Sequence, residues 1–545
     1  EPATRIVTFA RALEEESPGI LRGIKLLSKV DLGHAEERLH NLIRRWGLTI
    51  PVYPYTMCSK TMIAEKILLQ QPMVLISTWF NYLLTAHPQL LLGGYPRKHE
   101  HTDMMLTSFW DAYRHEHPDH EVFVAHAGHL DKCIPYTIFH DEGRGLKKSP
   151  VQIVAMEAVF GKCSYDDLKK ELKAGKPLSG DLCLKTLAHT GKGPTLFSRF
   201  LLYALPHHLY RGKKRKSFWN RCFDCIPPDC RKIFNNGCMC EGDMYYGICV
   251  GLKGDAPAQA KADPAIPWED VSLTPAWAVT VGCKRPWNER APPSTVEIPY
   301  TSAAPEELFH IDAFHTFKLG IGRHFGASTL IASVQFGYFP CSTNNLEDIL
   351  AVAYEDFRLA CATMHQTPHV KMFSKEILHL PRNLSFPYGG WKGADTMMIC
   401  RWFILLLRDG LDVNGDRSRP LLGNPLEASH APLLWPGMHP PIVQAMYDAA
   451  RAPLIFFQLI HRGGVFWNRD DAKKAKAACD VFCSAYSFLA AEFVKLQLPR
   501  YHVEPALHAF KHASIRLKKQ LDSGAKFIMT PSVHLCEASE DFIGE

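Results

Sequence analysis

Two aspartates, each delivered by an apolar run, are the residues of this chain best placed to do chemistry. The run "CIPYTIFHDEGRG" is strand-like from Ile134 to Phe139 and stops at His140 and Asp141. The run "YYGICVGLKGD" is strand-like from Tyr245 to Lys253 and stops, behind Gly254, at Asp255. Carboxylates at the ends of neighbouring strands can meet in space however far apart they lie in sequence. Brought within a few ångströms they repel, and they stay ionised together mainly when a hard cation sits between them. That constellation suits phosphoryl transfer assisted by magnesium or manganese, in which metal ions stabilise the attacking and leaving oxygens. Taken singly, each aspartate also reads as a strand-end turn or cap residue.

Three further patterns carry chemistry. The stretch "RCFDCIPPDCRKIFNNGCMC" holds Cys222, Cys225, Cys230, Cys238 and Cys240. Thiolates of Cys222, Cys225, Cys238 and Cys240 in a tetrahedron would hold zinc and staple a loop too polar to form its own core; the same residues also read as free thiols. In "HIDAFHTFKLGIGRHF", Asp312 and His315 stand one helical turn apart, a spacing that lets them share a metal ion or order the start of a helix. The run "RGKKRK" places Arg211, Lys213, Lys214, Arg215 and Lys216 together, a cluster for DNA phosphates or nuclear import and equally a solvated loop.

The elements that must position these residues follow from periodicity. Ile134 to Asp141, the turn "EGRG" and the β-branched run "PVQIVAMEAVFG" form a hairpin. "TLFSRFLLYALPHHLY" has helix-like apolar spacing, and Tyr245 to Lys253 is the next strand. Ahead of the hairpin the chain reads as helical and loop-rich, with "HAEERLHNLIRRWGL" an amphipathic helix. Behind Asp255 an Ala- and Pro-rich excursion runs to about Pro305, followed by helices such as "NNLEDILAVAYEDFRLACATM", which opens on an Asn cap.

Composition bounds the class. With 545 residues the chain is long enough for two or more domains, and 46% hydrophobic with 22% charged residues excludes a disordered or fibrous protein. A net charge of +6 is too small at this length to signal nucleic acid by itself. Seventeen cysteines without a repeating framework, and no N-terminal apolar signal segment, point to a reducing intracellular compartment. The longest apolar stretch, "TMMICRWFILLL", carries Arg401 and falls short of about eighteen residues, so it reads as a buried helix and no membrane span is expected.

A hairpin with an Asp on its first strand, a helix, a strand ending in a second Asp, and a long helical insertion before a final acid resembles the ribonuclease-H-like core of cut-and-paste DNA transposases with an Asp-Asp-Glu site. Asp312 and His315 resemble the Asp-x-x-His element in the insertion of several eukaryotic superfamilies. From about residue 100 onward, "IPYTIFHDEGRGLKKSPVQIVAMEAVFG", "GLKGD", "IPWEDVSLTPAW", "HIDAFHTFKLGIG", "WKGADT" and "LCEASEDFIG" are similar to transposon-derived protein families of protist genomes. The resemblance implies an α/β fold: a ribonuclease-H-like mixed sheet interrupted by a large α-helical insertion. Its parts would be a helical N-terminal region (1–130), the first part of the core (131–255), the insertion (256–525) and the start of the returning core helix (526–545).

The resemblance also implies a site. Asp141 and Asp255 match the first two acidic positions. The third is sought among Glu537, Glu540 and Asp541, where a Ser-Glu-aromatic arrangement like that at the end of the transposase core selects Glu540. Magnesium or manganese would sit on these three, DNA would be the partner, and the protein would be nuclear, with room for a homo-oligomer. Related transposases often carry Cys-x-x-Cys just after the second Asp, whereas "APAQAKADPAIPWED" has no cysteine. The sequence stops at Glu545, where the final helix of such a core should continue, so the chain is expected to be a piece of a longer protein. Two alternatives stand beside this reading: a catalytically inactive descendant that binds nucleic acid or protein, and an unrelated soluble enzyme in which the two aspartates only cap strands.

Overall fold

The computed structural model describes residues 3–16, 22–45, 53–60, 66–144, 150–191, 197–206, 209, 222–254, 297–301, 305–310, 312–380, 386–408 and 440–537. The chain divides into two units, Glu1–Cys58 with Ile67–Val74, and Ser59–Lys66 with Leu75–Glu545. The smaller unit contains the helices Ala3–Glu16, Arg22–Ser28 and Ala35–Arg45. Arg11 fastens it by donating from Nε and Nη2 to the carbonyls of Ser28 and Val30, at 3.0 and 2.7 Å, while Val7, Val30 and Ala35 bury their side chains together. Two paired strands, β1 (Tyr53–Lys60) and β2 (Lys66–Met73), fall in the stretch whose pattern suggested helix and loop.

In the larger unit the apolar runs assemble into a five-stranded mixed sheet ordered β5-β4-β3-β7-β6. Its strands are β3 (Cys133–Arg144), β4 (Pro150–Ala158), β5 (Arg199–Pro206), β6 (Cys238–Cys240) and β7 (Asp243–Gly254). The expected hairpin is the antiparallel pair β3 and β4, in which Asp141 pairs with Ile153. β7 returns to lie parallel beside β3, and the connection between parallel neighbours runs through β4, β5 and the helix Ile226–Asn236.

The fold corrects one element. Arg199–Pro206, inside the stretch with helix-like spacing, is strand β5 and pairs antiparallel with β4. An apolar run of this length fits a buried strand or a buried helix equally well, and the open edge of β4 decides between them.

β7 carries a bulge that reads directly onto its glycines. Tyr136 pairs with Cys249 and Thr137 with Gly251, so Val250 is the extra residue, and its carbonyl accepts from His310 Nε2 at 3.1 Å. A Cβ at Gly251 would sit 2.2 Å from His310 Cδ2, so only glycine admits this close approach. Phe309 pairs in parallel with Leu252, and His310 N–H donates to the Leu252 carbonyl at 3.0 Å. The side of β7 away from β3 is therefore used twice, by β6 at its start and by Phe309 near its end.

The helical layer downstream matches its pattern more closely. Asn345 caps helix Leu346–Thr363 through the Glu347 N–H, as the "NNLED" signal implied. Helix Gly393–Arg408 buries Trp402 and Phe403, and Trp402 Nε1 donates to Asp356 at 2.8 Å. Phe317, Phe325, Phe357, Phe482 and Phe510 fill the same core, each worth about 3 kcal/mol or more against alanine. Helix Arg469–Lys495 is long and apolar enough to cross a membrane by length and composition, but it places Ala475, Phe482, Tyr486 and Phe493 in this core.

The chain then returns to the sheet. β8 (Phe466–Asn468) pairs with β9 (Phe527–Met529), the Thr530 N–H donates to the Val465 carbonyl at 3.0 Å, and a turn at Pro531–His534 leads to Cys536.

A partly buried charge contact ties the segment ahead of β3 to the last long helix, Pro505–Asp522. Glu307 faces His117 Nδ1 at 3.2 Å and accepts from Lys519 Nζ at 2.9 Å. Burial alone would raise the Glu307 pKa; the hydrogen bonds and charges of His117 and Lys519 outweigh it and hold the carboxyl at about 2. A depressed carboxylate contributes stability above its unfolded pKa of about 4.3, and loses it as pH falls through the folded value. Glu307→Gln should therefore cost at most about 3 kcal/mol at pH 7, with the gap to wild type closing between about pH 5 and pH 2. Denaturant unfolding of both proteins across that range checks this, and a gap independent of pH would refute it.

Candidate functional site

Asp141 does not end its strand. β3 continues to Arg144, and Asp141 sits on the face it shares with Phe139, with Ala155 and Glu157 of β4 and with Lys253 of β7, because directly paired residues project to the same side. The last described pair of the parallel ladder is His140 with Gly254. Asp141 is the next residue of β3, and Asp255, which follows Gly254 in sequence, lies outside the described residues.

The element reaching this face from the helical layer is the turn that carries Asp312 and His315. Asp312 is buried, and its two oxygens accept from Phe314 N–H, His315 N–H and Cys536 N–H, each at 3.0 Å, and from His315 Nδ1 at 2.6 Å. Burial would raise its pKa; the His315 contact and the backbone donors overcome that and leave the carboxyl below its usual range. Asp312 thus caps the helical turn Phe314–Ile321 and pins the C-terminal segment at Cys536. With Nδ1–H committed to Asp312, His315 presents Nε2 toward Asp141 Oδ2, at 3.7 Å.

That arrangement sorts the metal candidates. Ligand atoms of Asp312, His315 and Cys536 all lie within 4.8 Å of one another, a grouping able to hold an ion. Asp312 already has a hydrogen bond on each lone pair, however, and burial, followed by the charge of Asp312, pushes the Cys536 thiol well above its ordinary pKa. Asp312 is therefore an orienting partner for the histidine, in the way outer carboxylates orient metal-bound imidazoles. His315 Nε2 and Asp141 Oδ2 face each other at 3.7 Å.

Three residues beyond His315, Lys318 pairs with Glu537, whose other oxygen faces His461 Nε2 at 3.5 Å. Burial lowers the Lys318 pKa and Glu537 acts against that shift; the ammonium also lies 4.7 Å from the Phe457 ring centre. Of the three acids considered for the last position, Glu537 is engaged in this contact, and Glu540 and Asp541 lie outside the described residues.

The floor of the site is a buried charge cluster absent from the sequence reading. Glu157 is fully buried between Arg199, whose Nε donates to it at 3.1 Å, and Lys253, which forms a close ion pair with it. Lys253 also donates to the Val533 carbonyl at 3.4 Å, and Cys536 packs on Phe139 and Ala155. The returning C-terminal segment is thereby held flat on the face that carries Asp141.

The four cysteines that read either as a zinc site or as free thiols do not form a metal-ligand group among the described residues. Cys225 caps the start and Gly237 the end of the eleven-residue helix Ile226–Asn236, so Cys225 and Cys238 stand at opposite ends of an element about 16 Å long. Cys240 lies against the Leu84 carbonyl and accepts from Arg97 Nη1 at 2.8 Å, whereas Cys222 lies by Tyr203. No three of these sulfurs fall within 4.8 Å of one another. The basic residues Arg211, Lys213, Lys214, Arg215 and Lys216 lie outside the described residues.

Of the residues singled out from the sequence, Asp141, Asp312 and His315 lie together at this end of the sheet, beside Cys536, Lys318, His461 and the Glu157 cluster, which the sequence reading did not single out. Lys318 had a readable signal, since it repeats the spacing of Asp312 and His315 along one helix face. Comparison of the chain with protein-family models, curated proteins and solved structures finds no match.

Proposed function

We propose that this chain is a transposase-derived protein with a ribonuclease-H-like core, which cleaves and joins DNA strands with divalent ions. One observation carries the reading: residues from β3, from the Asp312–His315 turn and from the C-terminal segment converge on the same end of the sheet, although they are far apart in sequence. The order β5-β4-β3-β7, with β7 alone parallel to β3, supports the fold, as does Phe309 pairing in parallel beyond β7. In this reading Asp141, Asp255 and Glu540 hold magnesium or manganese, which when bound stabilises charge on the phosphodiester oxygens. Asp312 holds the His315 ring in one tautomer and aims its Nε2 at Asp141. The Lys253–Glu157–Arg199 cluster keeps that end of the sheet rigid. Arg211, Lys213, Lys214, Arg215 and Lys216 supply phosphate contacts, and nuclear import places the protein with its substrate.

The engagement of Glu537 with Lys318 and His461 favours a second reading, an inactive descendant that still binds DNA. The test for both is a labelled duplex incubated with the purified chain and magnesium or manganese, scored for nicks and joined strands, alongside binding measured against salt. Ion-dependent cleavage supports the first reading. Salt-dependent binding without cleavage supports the second, and neither activity refutes both.

A further inference from the structure

We propose that His324, His502 and Glu504 form a zinc site that staples two segments of the helical layer, separate from the Asp141 end of the sheet. His324 lies in the first turn of helix Gly322–Gln335, and His502 and Glu504 lie just ahead of helix Pro505–Asp522. One ligand atom from each falls within 4.8 Å of the others.

The hydrogen bonding calls for a cation at this point. His324 Nδ1–H donates to the Pro387 carbonyl at 3.2 Å, which leaves Nε2 with a lone pair. That lone pair points at Glu504 Oε1, which lies in close contact with it and receives no hydrogen bond from elsewhere among the described residues. Two acceptors face each other, so the contact holds only with a positive charge between them: a second proton on the imidazole, or a metal ion. His502 decides for the metal, because it adds a third donor atom to the same point. Glu504 occupies the capping position of its helix yet makes no capping hydrogen bond, so its carboxylate is directed away from the role the position would give it.

The surroundings are built as a metal site's outer layer is. A backbone carbonyl fixes the His324 tautomer. The His502 ring stacks on Phe386 at 4.6 Å, and the His502 carbonyl accepts from Tyr486 Oη at 2.8 Å. Tyr501, next to His502, adopts a left-handed φ of 56°, uncommon for a bulky residue, and is held there by its N–H donating to Ser328 Oγ at 2.9 Å. Ser328 lies on the same helix as His324. Two imidazoles and a carboxylate match the ligand preference of zinc, which cobalt(II) shares. Because helix Gly322–Gln335 directly follows the turn bearing His315, the ion would stiffen the element that presents His315 to Asp141.

The experiment uses the full chain, stripped of metal by chelation and dialysis, with zinc or cobalt(II) as the probe. Wild type should take up one zinc equivalent that His502→Ala and Glu504→Gln both lose, with affinity weakened at least ~100-fold, and zinc should raise its melting temperature but not theirs. His502 is exposed, so His502→Ala should fold as the wild type does. Cobalt(II) should give the visible bands of a tetrahedral site in wild type and in Cys222→Ser/Cys225→Ser, and lose them in His502→Ala. Equal zinc content in wild type and His502→Ala, or no cobalt band in wild type, would overturn the site and leave a protonated His324 paired with Glu504.

Discussion

Asp141→Asn should lower ion-dependent DNA strand cleavage by ~1,000-fold or more while leaving DNA affinity within about a factor of two. Asn keeps the volume and shape of the side chain, so β3 and its pairing with Ile153 remain. What disappears is the negative charge that faces His315 Nε2 at 3.7 Å and that a divalent ion requires. Stabilisation of a developing phosphoryl charge by a metal ion is worth several kcal/mol, and each 1.36 kcal/mol is a factor of ten in rate. On the proposed reading, affinity would rest on phosphate contacts from basic residues rather than on this carboxylate. His315→Ala should give a smaller loss, and Asp312→Asn should resemble it by releasing the ring. Gel assays of product formation with manganese, paired with filter binding over a salt series, would decide; cleavage by Asp141→Asn at the wild-type rate would rule out the proposed site.

Glu157→Ala is expected to be the most destabilising single change in the sheet, at about 3–5 kcal/mol. Its carboxylate is fully buried and balances two cations, Arg199 and Lys253, whose side chains are each 1% exposed. Removing it leaves both buried charges without their anion, a larger penalty than the pair's own attraction. Lys253→Met should cost less, because Glu157 keeps Arg199, and the loss falls mainly on the seating of the C-terminal segment at Val533. Chemical unfolding should show the order Glu157→Ala, then Lys253→Met, then wild type, in increasing stability. If Glu157→Ala unfolds within ~1 kcal/mol of wild type, the cluster is not the anchor described.

Short-range rules determine several parts of this protein from sequence alone. The β3–β4 hairpin and β7 follow from apolar, β-branched runs bounded by glycine, and helix Leu346–Thr363 follows from its Asn cap and spacing. The burial of helix Gly393–Arg408 follows from an apolar run too short for a membrane, and the mutual reach of Asp312 and His315 from a helical turn. In each case the information is carried by residues within a few positions of one another.

The tertiary structure decided what depends on a distant partner. Arg199–Pro206 is a strand because β4 offers an edge, and Phe309 pairs with Leu252 because the bulge at Val250 and the bare Gly251 admit His310. Cys225 and Cys238, close in sequence, are held apart by the rigid helix between them. Asp312 and Cys536, remote in sequence, meet because β8 pairs with β9 and turns the chain back onto the sheet. Periodicity states which face of an element is apolar, but not which element covers it. The donors that reach a buried carboxylate are set only when the layers pack, since unmet polar groups there cost too much to leave unsatisfied.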